Sequence, residues 1–177
     1  LVERDFGRRV TNLVAMGQGE PFLNYDALIE SLRMMNSADS FNIGARHITV
    51  STCGIIPGID RLAEEPEQFT LAISLHSAIQ EKRDQLMPRV SHQPLPSLKK
   101  SLKHYVEKTN RRVSFEYLLI KGVNDGEEDL QALLDFCDGL LCHVNLLPMN
   151  KIAGSPFQPS PRHIADHWIS TLGKHHI

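Results

Sequence analysis

The sequence predicts an α/β fold: a sheet of parallel strands arranged as a partial (β/α) barrel. Three observations carry this expectation. Short apolar runs alternate with helical patterns five times, the signature of repeated strand–helix–strand units. One run, Phe69-Thr-Leu-Ala-Ile-Ser74, is almost continuously apolar, as a strand buried on both faces must be. The 177 residues suffice for one domain with a real core, yet fall short of the roughly 250 of a closed eight-fold barrel. An open flavodoxin-like sheet is the structural rival. It would show a switch in strand order, with helices on both faces.

Leu1 to Arg9 reads as the tail of a helix ended by Gly7. The first strand is Val10–Met16, broken by Gly17-Gln18-Gly19-Glu20-Pro21. A helix follows, with Asn24 at its N-cap and Leu28, Ile29, Leu32 and Met35 on one face. His47–Ser51 is the second strand, rich in β-branched residues. A short helix begins near Pro57. The third strand, from Phe69 to Ser74, leads into Leu75-His76. Ile79–Met87 and Leu98–Lys108 are the next helices, and Val113–Ile120 is the fourth strand. Asn124-Asp-Gly126 is a turn. The helix after it opens with three acids, Glu127, Glu128 and Asp129, which suit a helix N-terminus. The fifth strand is Cys142–Leu147. Ser160-Pro161 starts a last helix carrying Ile164, Trp168, Ile169 and Leu172. Lys174-His-His-Ile177 reads as the opening of a sixth strand.

Composition narrows the function classes. Hydrophobic residues are 41% and charged residues 23%, with a net charge of -2 and nine histidines. That is ordinary globular composition, and it excludes nucleic-acid binding driven by overall charge, though not by a local patch. No apolar run is long enough to span a membrane, and Leu1-Val-Glu-Arg-Asp5 is unlike a signal peptide. The cysteines, Cys53, Cys137 and Cys142, show no disulfide-like or zinc-like spacing. A cytoplasmic protein, with no membrane partner, is expected.

In a parallel sheet the strand C-termini gather on one rim, where ligands bind. Here that rim would collect Gly17, Gly19 and Glu20, then Ser51 and Thr52, then Ser74 and His76, and lastly Asn150. Glycine lets backbone approach a ligand. Small polar groups with one carboxylate suit a zwitterionic molecule bearing hydroxyls and an aromatic base. Each residue alone has an ordinary alternative: Ser51 and Ser74 as turn caps, His76 as a structural histidine, Asn150 as a turn residue. Glu116 is a further candidate, sharing a strand face with Ser114. The basic segment Lys99-Lys100, Lys103, His104, Lys108 and Arg111-Arg112 is either a solvated face or a phosphate-contacting patch on RNA.

Several motifs occur in order: Met16-Gly-Gln-Gly-Glu-Pro21 with Asn24; His47-Ile-Thr-Val-Ser-Thr-Cys-Gly54 with Pro57; Leu71-Ala-Ile-Ser-Leu-His76; Arg83-Asp84 with Met87-Pro88; Glu116-Tyr117; Gly122-Val-Asn-Asp125; and Val144-Asn-Leu-Leu-Pro-Met-Asn150. Together they resemble the radical S-adenosylmethionine RNA adenine methyltransferases of the RlmN/Cfr type, over nearly the whole chain. The resemblance implies a radical-SAM partial barrel that binds S-adenosylmethionine and a 4Fe–4S cluster. It implies methylation of an adenine ring carbon in 23S rRNA, with tRNA as a second substrate. Carried over motif by motif, the cofactor contacts would be Gly19, Glu20, Ser51, Ser74, Leu75, His76 and Asn150. No catalytic residue and no metal ligand carries over.

The departures are specific. The family's Cys-x-x-x-Cys-x-x-Cys motif and its methyl-carrying cysteine are absent here, Gln18 stands where methionine is usual, and Met149 where tryptophan is usual. The resemblance therefore implies that residues 1–177 are a single domain, the central part of such an enzyme. It would be inactive alone, with the cluster ligands outside this chain. A non-catalytic nucleotide- or RNA-binding domain and a phosphate-binding barrel are the alternatives.

Overall fold

The structure, a computed structural model, describes residues 2–151 and 153–177. Five strands form one sheet: β1 (Leu13–Ala15), β2 (Ile48–Thr52), β3 (Thr70–Ser74), β4 (Val113–Leu119) and β5 (Cys142–Pro148). All four pairings are parallel and the spatial order follows the chain, β1-β2-β3-β4-β5. No switch point interrupts that order, which removes the flavodoxin-like rival. Right-handed crossovers in sequential order lay the connecting helices on one face and leave the other bare. This is the partial barrel that the alternation of elements predicts.

The helices are α1 (Val2–Phe6), α2 (Tyr25–Asn36), α3 (Ile56–Ala63), α4 (Gln80–Leu86), α5 (Leu95–Thr109), α6 (Glu127–Cys137) and α7 (Arg162–Lys174). One apolar stripe from each of the longer ones meets the sheet. Ile29 and Leu32 of α2, Ile59 and Leu62 of α3, and Leu98, Leu102 and Tyr105 of α5 are buried there. Leu130, Leu133 and Phe136 of α6 and Trp168 and Leu172 of α7 complete the layer. The sheet meets them with Val50, Leu71, Ile73, Val113, Phe115 and Tyr117, each fully buried.

Several boundaries differ from the expectation, each for a local reason. β1 pairs over three residues only, because its one neighbour, β2, begins at Ile48. Asn24 precedes α2 but makes no side-chain cap; a 3₁₀ turn, Pro21–Asn24, leads into the helix instead. α5 starts three residues early because Pro96 fits the first turn of a helix, where no N–H is needed. Ser160 does not cap α7: its hydroxyl donates to Asp125 Oδ2 at 2.6 Å. Ile169 is exposed rather than core. Lys174–Ile177 is not a strand. α7 runs through Gly173 to Lys174, and the N–H groups of His175 and Ile177 turn back to the Leu172 carbonyl.

Candidate functional site

The rim is built loop by loop. After β1, Gly19 sits at φ +97°, a conformation other residues reach only with strain, and nothing lies within 4 Å on its side-chain side. That conformation turns Glu20 back toward the sheet. Its carboxylate accepts the Phe22 N–H at 3.1 Å and the Cys53 N–H at 2.8 Å, which ties the β1 loop to the β2 loop. Each carboxylate oxygen has two lone pairs, so Glu20 still has capacity for a ligand's N–H groups.

Ser51 and Ser74 lie on the bare face. Strand register sets Ser51 beside Ala72 and Ser74 beside Glu116, with Asn145 next in the row. Neither serine hydroxyl has a hydrogen-bond partner among the described residues. Beneath them lies a cation that sequence reasoning left without a role. Arg83 of α4 is 1% exposed, and its guanidinium donates to the carbonyls of Ser74 (3.0 Å), Leu75 (2.6 Å) and Cys53 (2.5 Å). It clamps the end of β3 to the loop after β2. Burial pushes its pKa down, with Cys53 and Asp84 opposing the shift. Gly54 leaves room for this clamp: a β-carbon there would meet the guanidinium at 3.0 Å.

Leu75 turns toward the helices and is fully buried; its N–H donates to Glu116 O at 3.0 Å. Only its backbone is near the rim. His76 then adopts φ +55°, rare for a residue with a side chain. Its Nδ1 accepts the Leu118 N–H at 3.1 Å, and its carbonyl accepts from Asn124 Nδ2 at 2.6 Å. Burial lowers its pKa to about 4; Arg83 adds to that and Glu116 opposes it. Asn124, read from sequence only as a turn residue, is fully buried. Its presence in the Gly122-Val-Asn-Asp125 motif was the one signal of a larger role.

Asn150 is exposed, two residues beyond β5. Glu116 accepts from Ser114 Oγ at 2.9 Å and from Asn145 Nδ2 at 2.8 Å, and so has polar but not cationic partners. The topology thus gathers Gly19, Glu20, Ser51, Ser74, His76 and Asn150 at the same edge of one sheet.

A concavity of about 540 Å³ lies elsewhere. Asn36, His47 and Glu67 line it, before the starts of β2 and β3, at the opposite edge. It is shallow and open, whereas the polar rim is a bare sheet face that needs no closed pocket. The basic segment divides in the same way. His104 and Lys108 pair with Glu64, Lys99 donates to Asp135 O, and Arg111 donates to Thr70. α5 runs against the strands, so Lys108 to Arg112 lie at the edge away from the rim.

S-adenosylmethionine fits the rim's donor set: a carboxylate for an ammonium group, free hydroxyls, and an imidazole nitrogen. An iron–sulfur cluster does not fit the residues present. Among the described residues, no group of three His, Cys, Asp or Glu side chains could hold a metal. Cys137 and Cys142 are buried on the helix side of the sheet, and Cys53 stands apart, its thiol pushed up to about 12 by burial and by Glu20.

Comparison with known proteins agrees with the fold. The family described as the Radical SAM superfamily matches residues 2–137, and the chain belongs to it. More particularly, it is 43% identical over 175 residues to the "Probable dual-specificity RNA methyltransferase RlmN" of Clostridium novyi, covering 99% of this chain and 51% of that protein. The protein of the same name from Geobacillus kaustophilus is 49% identical, with 98% and 47% covered. The chain spans about half the length of the curated relatives it matches. The crystal structure of a radical SAM methyltransferase from Sphaerobacter thermophilus superposes with a TM-score of 0.92 at 43% identity, over 97% of this chain and 50% of that one. A domain of a pyruvate-formate lyase-activating enzyme from Bacteroides vulgatus shares the fold at TM-score 0.70 and 20% identity.

Proposed function

We propose that this chain is the S-adenosylmethionine-binding core of a methyltransferase that methylates an adenine ring carbon in 23S rRNA, and in tRNA, in the cytoplasm. The observation that carries the reading is the single rim that Glu20, the hydroxyls of Ser51 and Ser74 and the Nε2 of His76 share, the last three without partners among the described residues. In this reading Gly19 and Glu20 hold the methionyl end, and Ser51, Ser74, the Leu75 backbone, His76 and Asn150 hold ribose and adenine. The bound cofactor supplies the transferable methyl group. The 4Fe–4S cluster is assigned to ligands outside these residues. A phosphate-binding barrel fits less well, because the guanidinium under the rim is already committed to three carbonyl oxygens.

The test is equilibrium binding of S-adenosylmethionine. The 177-residue chain binds it weakly, and Glu20→Ala weakens binding further by about 1.5–3 kcal/mol, the range for a hydrogen bond to a charged group. Binding that ignores Glu20→Ala rejects the assignment. The chain alone, supplied with iron, sulfide and S-adenosylmethionine, leaves RNA unmethylated, because its cysteines are not placed to hold a cluster. Turnover by the chain alone overturns the assigned roles.

A further inference from the structure

We infer that Asn124 is a positioning residue that fixes His76 as a neutral imidazole with its proton on Nε2, a hydrogen-bond donor to an acceptor atom of bound S-adenosylmethionine. The inference rests on the cofactor reading above, and assigns the state of one side chain within it.

Asn124 is 0% exposed and both polar atoms of its side chain have partners. Its two N–H groups reach His76 O at 2.6 Å and Leu118 O at 2.8 Å, and its Oδ1 accepts the Ile120 N–H at 2.7 Å. Its own carbonyl accepts from Tyr117 Oη at 2.9 Å. One amide therefore pins the end of β4 and the backbone of His76 to each other. That pins the left-handed turn at His76 and holds its ring against the Leu118 N–H.

A backbone N–H can only donate. At 3.1 Å from Leu118 N, Nδ1 must present its lone pair, so the proton of the neutral ring sits on Nε2. Protonating Nδ1 would set two donors against each other and strip the Leu118 N–H of its partner. The charged groups facing the ring are Arg83 on α4, which opposes a second positive charge, and Glu116 on β4, which favours one. Burial outweighs Glu116, and the ring stays neutral across the physiological range. Nε2 has no partner among the described residues. It is a fixed donor, suited to a ring nitrogen, hydroxyl or carboxylate oxygen of the cofactor, and unsuited to accepting a proton.

The test needs no variant at first. Protein labelled with ¹⁵N-histidine is followed by long-range proton–nitrogen spectra from pH 5 to 8, with and without millimolar S-adenosylmethionine. His76 should show a protonated Nε2 and a bare Nδ1 throughout, and the cofactor should move the Nε2 resonance. Asn124→Asp, of equal size but without the two N–H donors, should let His76 titrate in the ordinary imidazole range and lower cofactor affinity about tenfold. His76→Gln, which keeps a side-chain N–H donor, should bind within about threefold of the native protein, and His76→Leu should lose about tenfold. A proton on Nδ1, or titration of native His76 near its ordinary pKa, overturns the inference whether or not the cofactor binds. A locked ring in a protein that binds no S-adenosylmethionine overturns the cofactor reading and the donor role with it. Cofactor binding that leaves the Nε2 resonance unmoved overturns the donor role alone.

Discussion

The two faces of the sheet carry opposite kinds of information. Along β4 they alternate residue by residue. Val113, Phe115 and Tyr117 are fully buried under the helices, and Phe115 meets Phe136 edge-on at 5.5 Å between ring centres. Ser114, Glu116 and Leu118 point the other way, toward the bare face. The covered face needs volume and apolarity, and many side chains can supply them. The bare face needs particular atoms at particular places. Stability should therefore reside on one side of the strand and ligand chemistry on the other, one residue apart.

The largest effect expected from that division is at Phe115. Phe115→Ala should destabilise the protein by about 3–5 kcal/mol in denaturant unfolding, the range for a buried aromatic lost from a packed core. Its neighbour Glu116→Gln should change stability by about 1 kcal/mol or less, since the amide keeps an acceptor for Ser114 or Asn145. Equal effects at the two positions would break the comparison.

Arg83 sharpens it, because it belongs to neither face. It is a buried charge whose partners are three backbone carbonyls at the ends of β2 and β3 and the Met87 sulfur. Its Nε is buried without a partner, so the clamp is not fully satisfied. Arg83→Met keeps much of the volume but takes the guanidinium donors from the Ser74 and Cys53 carbonyls, leaving Leu75 O only the Ser77 N–H, and should cost about 2–4 kcal/mol in thermal or chemical unfolding. The rim should loosen with it, read as faster amide exchange at Leu75 and His76. Destabilisation without faster exchange there would make Arg83 an ordinary core residue.

The helix-covered face was legible in the sequence, and much of the rim's detail was not. Period-two and period-3.6 patterns are set by burial, so β3, α6 and the inward run of α5 could be read directly. Glu20, Ser51, Ser74 and His76 could be placed on one rim because parallel strands share a C-terminal edge. Arg83 and Asn124 could not be given their roles. Each ties its own loop to a backbone carbonyl distant in the chain, Cys53 O for Arg83 and His76 O for Asn124, and no local periodicity records such a bond. The same reason explains Lys174–Ile177: its apolar end suggested a strand, but carbonyls left over at the end of α7 recruited its N–H groups. α6 shows a middle case. Its acidic first turn was visible, yet Asp129 is buried, accepts the Gly126 N–H at 3.2 Å and binds Lys82 of α4 at 2.8 Å.

A pH profile tests the rim from another side. The folded protein holds His76 at a pKa of about 4, against about 6.5 for an ordinary imidazole. Between those values the unfolded chain binds the extra proton and the folded one does not. The stability this group contributes is thus full above about pH 6.5 and is lost as the pH falls toward 4. The difference between the native protein and His76→Gln should shift by about 2–3 kcal/mol across that window, measured by urea unfolding at each pH. A flat difference would mean that His76 is as free to take up a proton in the folded protein as in the unfolded chain.

The smallest stability effect is the most discriminating. Ser74 stands at the end of β3 on the bare face, partly exposed, with no partner for its hydroxyl among the described residues. Ser74→Ala removes nothing that the fold uses, so stability should change by no more than about 0.5 kcal/mol. If the rim holds S-adenosylmethionine through this hydroxyl, the same substitution should weaken binding by about 0.5–1.5 kcal/mol, the net value of one neutral hydrogen bond. Ser51→Ala should behave alike, and the double variant should show nearly the sum if the two hydroxyls touch different atoms of the ligand. The measurement is paired unfolding and binding on the same preparations. A loss of stability with unchanged affinity would turn these serines into structural residues, and the division of labour between the two faces would fail at the point where it is most specific.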